Sequence, residues 1–458
     1  MMWLTRMTHR LAVIVVVFAA CASLVVLADA RQDPSPASQN TPATLTAPAA
    51  LASAIDAYVA PYARFHAFSG VVLVARGDRI VAARPYGMAN YEFAVPNTIE
   101  TRFRIASITK RFTNILLERL AEDGKISAGN TLAKYFPDFP KADRITIAHL
   151  ANHRSGIRDP EQLRGIISTN FTPAQVVAVL AKEPLGSEPG ETYSYTTANY
   201  AVLAAILEKV TGQSFAQLMK AYIYDPAGAR DSGEIDSTTV VPRLASGYMP
   251  DPFSDGVSVC GPEDTSWKVG GGSSYATAGD LHRIVRALYA GRLMKASPFD
   301  VLPHRTMFGK RSFESSGAFP GANANLTYFP DDELTVVVLS NNYAPVTSPI
   351  AKDVAAIAFG LPYEVPRITL PAQPPPPDPR VLGEWVIEGY PPATIVERNG
   401  RYVLAWTRNR QEALIPLGQD EYFLPLDFAR MRFTFGETVS ATFTAPWSDR
   451  PLTVTRPR

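Results

Sequence analysis

Ser107 and Lys110 are the two residues of this sequence whose types and spacing fit a chemical reaction best. Apolar residues recur at helical spacing after the serine and stop at a glycine: Ile108, Phe112, Ile115, Leu116, Leu120 and Gly124. Residues three apart on a helix are surface neighbours, so the hydroxyl and the amine share one face. A serine becomes a good nucleophile when a neighbour takes its proton, and a lysine does this only when burial or nearby cations hold it neutral. The pair therefore predicts acyl chemistry of the Ser-x-x-Lys type.

The same spacing also fits a structural role, in which the serine caps a helix and the lysine is exposed. Serine and lysine are so common that a chain of this length shows the spacing about once or twice by chance. The motif occurs once here, so the rest of the sequence has to decide between the two interpretations.

The composition indicates a globular protein. The chain has 458 residues, is 46% hydrophobic and carries a formal net charge of +1, which is typical of two domains with appendages. Nothing in this charge balance points to a nucleic-acid partner.

The N-terminus has the pattern of a targeting signal. Arg6 and Arg10 precede an apolar run from Leu11 to Leu27, and Ala28-Asp29-Ala30 is a small-x-small cleavage site. We predict a signal peptide at residues 1–30 and export to the periplasm or the medium.

Two alternatives concern the same segment. The apolar run is nearly long enough to remain as a membrane anchor, which would be the protein's only membrane contact. A lipid-modified Cys21 is disfavoured because the apolar residues continue beyond it. Once the signal is removed, Cys260 is the only remaining cysteine, which excludes an internal disulfide.

The rest of the chain divides into two predicted domains. Residues 31–48 have the composition of a disordered linker, and Pro374–Pro377 lies in a Pro-rich linker at residues 363–379. The first domain, residues 49–362, has helix-like and strand-like segments: helices at 50–62, 199–210, 278–288 and 349–359, and strands at 70–75, 79–83, 323–329 and 334–339. Residues 380–458 contain short alternating runs, which predict a small antiparallel barrel or sandwich. There are seven of these runs, at 394–397, 402–406, 412–416, 422–424, 431–435, 439–443 and 452–455.

Two further patterns were tested for ligand binding. His149 and His153 have the spacing of a metal pair, but no acidic residue lies between them and no third ligand is evident, so we predict structural roles and no metal. The loop Gly270–Gly272 lacks the Lys-Ser pair that follows a phosphate-binding loop.

Several blocks, in this order and spacing, resemble the superfamily of serine β-lactamases and penicillin-binding proteins, and in particular the branch of class C β-lactamases, D-aminopeptidases and related esterases. The blocks that carry the resemblance are Phe68–Val71, Tyr86–Ala89, Phe103–Lys110, His149–Leu150, His153–Gly156, Pro189–Gly190 with Tyr195, Gly271–Gly272 with Asp280–Leu281, and Pro320–Gly321 with Leu339–Asn341. The resemblance implies an α+β fold: an antiparallel sheet flanked by helices, a helical subdomain inserted after Ser107, and an appended β-barrel.

The resemblance also assigns roles to residues. It makes Ser107 the acylated nucleophile, Lys110 the group that deprotonates it, and Tyr195 a proton relay that protonates the leaving group. The backbone amides of Ser107 and Ala318 would form the oxyanion hole.

Two motifs depart from the family pattern. Thr197 stands where the family's Tyr-x-Asn motif has its asparagine, and Asn199 comes two places too late. Ser315-Ser316-Gly317 replaces a motif that begins with a cation, and Lys310 and Arg311 are at the wrong offset. Loss of that cation should weaken recognition of a charged substrate by about 1.5–3 kcal/mol.

The resulting prediction is a serine hydrolase that forms an acyl-enzyme, acts on esters or neutral amides and peptides, and turns over β-lactams poorly. Its predicted partner is a small-molecule or short-peptide acyl substrate, and it needs no cofactor. The alternatives are a β-lactamase or D-Ala-D-Ala-peptidase proper, and a binding or sensor module that keeps the fold with little turnover. A Ser-His-Asp hydrolase is disfavoured because the chain has no Gly-x-Ser-x-Gly motif.

Overall fold

The computed structural model describes residues 48–160, 170–236, 238–261, 264–407, 410–418 and 420–457. The predicted signal peptide and all but the last residue of the predicted 31–48 linker lie outside these described residues. Within the described ranges, no helix is both long enough and apolar enough to cross a membrane.

Helices surround a central sheet in the first domain. They are α1 (Pro48–Arg64), α2 (Thr109–Glu122), α3 (Ile147–Ala151), α4 (Pro173–Leu180), α5 (Ala198–Thr211), α6 (Phe215–Met219), α7 (Asp225–Ala227), α8 (Ala278–Tyr289), α9 (Pro298–Val301) and α10 (Thr347–Phe359). The five helices predicted from the sequence correspond to α1, α2, α5, α8 and α10. The ends of α1, α5, α8 and α10 lie within two residues of the prediction, and α2 begins at Thr109, two residues after Ser107.

The strands of this domain are β1 (Gly70–Arg76), β2 (Arg79–Tyr86), β3 (Met88–Asn90), β4 (Val95–Pro96), β5 (Phe103–Arg104), β6 (Gly233–Glu234), β7 (Tyr248–Pro250), β8 (Val257–Val259), β9 (Ser274–Ala276), β10 (His304–Met307), β11 (Lys310–Phe319), β12 (Ala322–Phe329) and β13 (Leu334–Ser340). Six of them form an antiparallel sheet in the order β10-β11-β12-β13-β1-β2. A second sheet of three short strands, β5-β9-β6, runs beside the start of α2. The six-stranded sheet therefore joins the first two strands of the domain, β1 and β2, to its last four, β10 to β13.

Strand β1, which lies between β13 and β2, separates two apolar cores. Successive side chains of a strand point to opposite faces, so Val72 and Val74 face one core and Val71 and Leu73 the other. The first core contains buried residues of α1 and α10, and the second contains those of α2, α5 and α8. Each fully buried side chain of this size contributes about 1.5–3 kcal/mol, which explains the nearly continuous apolar sequence of β1 and β13.

The helical subdomain extends from α3 to α7, between α2 and the late strands, as the resemblance implied. Helix α5 is its centre, because all residues from Ala198 to Leu207 are buried. The fold is thus the predicted one: an antiparallel sheet with helices on both faces and a helical subdomain beside the start of α2.

The C-terminal strands form a closed barrel: β14 (Gly383–Ile387), β15 (Ala393–Arg398), β16 (Arg401–Thr407), β17 (Arg410–Pro416), β18 (Glu421–Leu424), β19 (Ala429–Phe435), β20 (Val439–Thr444) and β21 (Leu452–Thr455). The seven strand-like runs predicted from the sequence match β15 to β21, and β14 was missed. Residues 361–378 form neither helix nor strand.

The barrel packs directly on the first domain. The ring of Phe428 lies 4.2 Å from that of Tyr62, and Phe423 lies 4.8 Å from Phe65. These side chains belong to one apolar cluster with α1 and α10, so the barrel shares a core with the first domain on the side of α1.

Candidate active site

The turn before α2 is strained. Ala106 has a φ of +46°, in the left-handed region that residues with a Cβ rarely adopt. Residues 106–108 form a 3₁₀ turn, and the Thr109 hydroxyl donates to the Ala106 carbonyl at 2.7 Å. The Ile105 amide donates to the Ser274 carbonyl on β9 at 3.1 Å. The segment that carries Ser107 is therefore fixed from both of its ends.

Lys110 is brought to Ser107 by the helix itself. Its Nζ donates to Ser107 Oγ at 3.1 Å, to the Gly271 carbonyl at 2.6 Å and to Thr197 Oγ1 at 3.4 Å. Lys110 is 4% exposed, and no described carboxylate forms an ion pair with it. Its amine is thus held by one carbonyl and two hydroxyls in a cleft that excludes most water.

Tyr195, in the loop before α5, is the second side chain that bonds to Ser107. Its hydroxyl donates to Ser107 Oγ at 2.8 Å, although 88 residues separate them in sequence. Lys110 Nζ lies 5.0 Å from the centroid of the Tyr195 ring. Ser107, Lys110 and Tyr195, the three residues predicted to be catalytic, therefore lie together in the structure.

His153 supports Tyr195. The two rings lie 4.5 Å apart, inclined by 31°, and the Ser194 amide donates to the His153 carbonyl at 2.8 Å. His153 Nδ1 accepts from the Thr196 amide at 3.3 Å. Burial, and then the neighbouring Lys110 and Arg111 side chains, lower the pKa of His153 to about 3. The ring is therefore neutral at physiological pH and acts as a packing surface and an acceptor.

His149 has a different structural role. It belongs to the capping box of α3, where its amide and side chain bond with Thr146. Among the described residues, no three His, Cys, Asp or Glu side chains come together in a way that could hold a metal ion. Each histidine of the pair is thus engaged by the backbone of a neighbouring turn.

Asp159 is a residue of the site that the sequence analysis missed. Its Oδ1 accepts from the amides of Thr197 at 2.8 Å and Ala198 at 2.9 Å, and from the Thr196 hydroxyl. A carboxylate there satisfies the free amides at the start of α5 and complements the helix dipole. Because Asp159 lies 39 residues before Ala198, no local pattern connected it with this helix.

Thr197 lies where the second motif was aligned. Its Oγ1 accepts from Lys110, and a Cβ on Gly271 would come within 2.7 Å of its methyl group. Asn199 is fully buried and accepts from the Ser155 hydroxyl, so it points into the core rather than the site. Thr197 is thus the residue of this motif that contacts the Lys110 amine.

Strand β11 forms the other wall of the site. Ser315 and Gly317 are buried on one face of the strand, while Ala318 is exposed. A Cβ added to Gly317 would lie 2.2 Å from the Ile105 carbonyl oxygen and 2.8 Å from the Ser107 amide nitrogen. Only glycine allows β11 to approach the nucleophile turn so closely.

Charged side chains lie near both ends of β11. Lys310 and Arg311 bind Asp332 and Asp331 at the far end of the strand, as their sequence offset suggested. From other segments, however, Lys268 Nζ lies 4.4 Å and Arg104 Cζ 5.5 Å from the ring centroid of Phe319, the residue after Ala318. Neither cation was predicted from the sequence, because both lie outside the aligned motif.

The arrangement contains the groups that acyl transfer needs. Ser107 Oγ is within hydrogen-bond distance of two groups that can exchange a proton with it, Lys110 Nζ and Tyr195 Oη. The Ser107 amide lies against a strand edge, where a negative oxygen can be bound. This geometry is suited to attack of a serine on a carbonyl carbon.

Comparison with known proteins identifies the class to which this fold and site belong, a serine hydrolase related to the β-lactamases. The family model described as Beta-lactamase matches residues 53–359. The chain therefore belongs to the Beta-lactamase family.

Three known proteins are similar to this chain. Penicillin-binding protein 4* of Bacillus subtilis (strain 168) is 27% identical over 423 residues, which cover 82% of this chain and 92% of that protein. Teichoic acid D-alanine hydrolase of Staphylococcus aureus is 27% identical over 252 residues, 55% of this chain and 62% of that protein. The solved D-amino acid amidase from Ochrobactrum anthropi SV3 has the same fold, with a TM-score of 0.59 and 22% identity over 67% of this chain and 98% of its own.

Proposed function

We propose that this protein is an exported serine hydrolase that forms an acyl-enzyme on Ser107 and acts on esters or neutral amides and peptides, with weak β-lactamase activity. The observation that carries the proposal is the pair of hydrogen bonds from Lys110 Nζ and Tyr195 Oη to Ser107 Oγ. Export rests on the sequence of residues 1–30.

The first step is acylation. Ser107 Oγ attacks the carbonyl carbon, its proton passes to the Lys110 amine, and the carbonyl oxygen becomes an oxyanion. The amides of Ser107 and Ala318 donate to that oxyanion, and Gly317 allows β11 to come near enough. When the tetrahedral intermediate collapses, the bond to the leaving group breaks and the leaving group takes a proton from Tyr195.

The second step releases the acyl group. Water attacks the Ser107 ester and gives up a proton to the Lys110–Tyr195 pair, and Ser107 Oγ leaves with a proton from the same pair. Thr197 keeps the amine in position through its contact with Nζ, and Ser315 lines the same wall as Gly317. No proton or electron has to come from a cofactor.

The residues of strand β11 next to the nucleophile support the proposed substrate class. Ser315-Ser316-Gly317 offers hydroxyls where the family has a cation, so an anionic group next to the scissile bond has no charged partner on this strand. Esters and neutral amides do not need that partner. A D-alanyl ester is the second candidate, since one relative is named as a teichoic acid D-alanine hydrolase.

A labelling and substrate comparison tests this function. An alkyl fluorophosphonate is expected to modify Ser107, located by mass spectrometry of the peptide. The protein should also hydrolyse p-nitrophenyl acetate and D-alanine methyl ester faster than the cephalosporin nitrocefin. Efficient nitrocefin hydrolysis without ester cleavage would indicate a β-lactamase, and no labelling with no turnover would indicate a binding module.

Tyr195→Phe tests the proton relay. The ring still packs on His153, so the fold should be kept, while the hydroxyl that bonds to Ser107 Oγ is lost. We expect kcat for p-nitrophenyl acetate to fall about 10²-fold, the lower end of the range for general acid–base catalysis.

The matched control is Tyr193→Phe. Tyr193 also packs on His153, with ring centroids 5.9 Å apart, and it is 51% exposed. Its variant should keep the activity of the unmodified protein. Equal losses in the two variants would show that the hydroxyl of Tyr195 has no specific role.

A further inference from the structure

Glu234 is a carboxylate close to the site that the proposed mechanism does not use. It lies on β6, opposite Ser274 of β9. Its Oε1 accepts from the Ser274 hydroxyl at 2.6 Å and from the Tyr224 hydroxyl at 2.7 Å, and its Oε2 accepts from the Ser273 hydroxyl. Three hydroxyls thus converge on one carboxyl group.

The surroundings of this carboxyl group are unusual. The residue as a whole is only partly buried, but the carboxyl group itself is enclosed, and burial raises the pKa of Glu234. Within the described part of the chain, the groups that oppose this rise are the three hydroxyls. Buried carboxylates are normally paired with a cation, so one held by hydroxyls alone is costly to keep. Such a cost suggests a role beyond filling space.

The two serines bound to Glu234 follow the loop that holds the catalytic lysine. The Gly271 carbonyl accepts from Lys110 Nζ at 2.6 Å, and the Gly270 carbonyl accepts from the Thr113 hydroxyl at 2.6 Å. Residues 270–272 are all glycines, so they have no side chains to anchor these carbonyls, and glycine is the most flexible residue. Ser273 and Ser274 are the first residues after the loop with side chains that can anchor it.

Ser274 also contacts the nucleophile segment. The Ser274 carbonyl accepts from the Ile105 amide, and the Ser274 amide donates to the Thr109 hydroxyl at 3.3 Å. Strand β9 therefore lies between Glu234 on one side and the turn that carries Ser107 on the other.

We propose that Glu234 is a positioning residue that fixes Ser273 and Ser274, and through them the Gly271 carbonyl and the Ile105 turn, so that Lys110 Nζ stays within bonding distance of Ser107 Oγ. Two of the three hydrogen bonds to this carboxyl group come from consecutive serines, so they are suited to hold the glycine loop that precedes those serines. This inference rests on the proposed role of Lys110 and Ser107.

The test separates the rate of Ser107 labelling from its extent. In Glu234→Ala, the fluorophosphonate should still label the protein to completion, but the rate constant should fall about 10²-fold, the effect of a displacement of roughly 1 Å. For p-nitrophenyl acetate, kcat should fall while KM stays unchanged. Glu234→Gln keeps an acceptor for Ser274 and Tyr224, so it should recover most of the rate.

Asp353→Ala is the matched control. Asp353 accepts from the Tyr58 hydroxyl at 2.7 Å, burial likewise raises its pKa, and it lies on α10 across the sheet from the site. Its loss should lower the melting temperature without changing the labelling rate constant. If Glu234→Ala does not fold, the double variant Ser273→Ala/Ser274→Ala removes two of the three bonds and should slow labelling in the same way.

A merely structural role for Glu234 would lower the final extent of labelling and leave the rate constant of the labelled molecules unchanged. That result, or an unchanged rate in both the Glu234 and the serine variants, would overturn the inference. Failure of the proposed function looks different, because the unmodified protein would then not be labelled at Ser107 at all.

Discussion

Ser107→Ala is expected to lower kcat for p-nitrophenyl acetate by about 10⁶-fold, as removal of a serine nucleophile does in other hydrolases. The variant loses the atom that forms the acyl bond, along with the acceptor of the bonds from Lys110 and Tyr195. Labelling by an alkyl fluorophosphonate should disappear as well. Both are measured on the purified protein, with the melting temperature as a check of folding.

The control for Ser107 is Ser316→Ala, which removes an exposed serine hydroxyl from β11. Its kcat should change far less, and fluorophosphonate labelling should be retained. Full activity of Ser107→Ala, with labelling elsewhere in the chain, would disprove the acyl-enzyme mechanism.

Lys110→Met should have the second largest effect. Methionine fills the space of the lysine stem but cannot take a proton, so kcat for the same ester is expected to fall by about 10³–10⁴-fold, the upper range for general acid–base catalysis. The Gly271 carbonyl also loses its bond at 2.6 Å, which adds a stability cost of about 1–3 kcal/mol if the carbonyl stays buried. Steady-state kinetics and thermal unfolding measure the two effects separately.

Lys310→Met is the control for this change. Lys310 is a half-buried lysine that binds Asp332 and lies on the same strand as Gly317, but at its far end. We expect its kcat to match that of the unmodified protein. If both variants lose activity equally, the effect of Lys110 cannot be assigned to proton transfer.

The elements that the sequence predicted correctly are those whose pattern is local and strong. Helices α1, α5, α8 and α10 bury long apolar stretches, and β1 and β13 are nearly continuous apolar runs. Where the burial of an element is continuous or strictly periodic, hydrophobicity alone identifies it.

The elements that the sequence analysis missed have weak or mixed patterns. Strand β11 contains Lys310, Arg311, Glu314, three serines and a glycine, and it was not predicted as a strand. Its side chains alternate between a buried face and the exposed cleft edge, where apolar residues are not required. Strand β14 was missed because it begins with Gly383 and Glu384, which are residue types depleted in strands. Its Trp385 is nevertheless fully buried, and the Trp385 Nε1 donates to the Val381 carbonyl.

The residues around the site that hold its loops and strands in place could also not be predicted from the sequence. Asp159 and Glu234 act on residues 37 to 40 positions away, and isolated acidic residues are most often solvated. Lys268 and Arg104 reach Phe319 from separate segments. No spacing rule connects residues that only the folded chain brings together.

The sequence by itself determined the pairing of Ser107 with Lys110. The two residues are three positions apart, and one helical turn brings side chains at that spacing together. The tertiary structure decided everything that converges on that pair: the Tyr195 hydroxyl, the Gly271 carbonyl and the edge of β11. The physical reason is that helical geometry is local, whereas these contacts depend on how two cores and a glycine loop pack around the strained turn at Ala106.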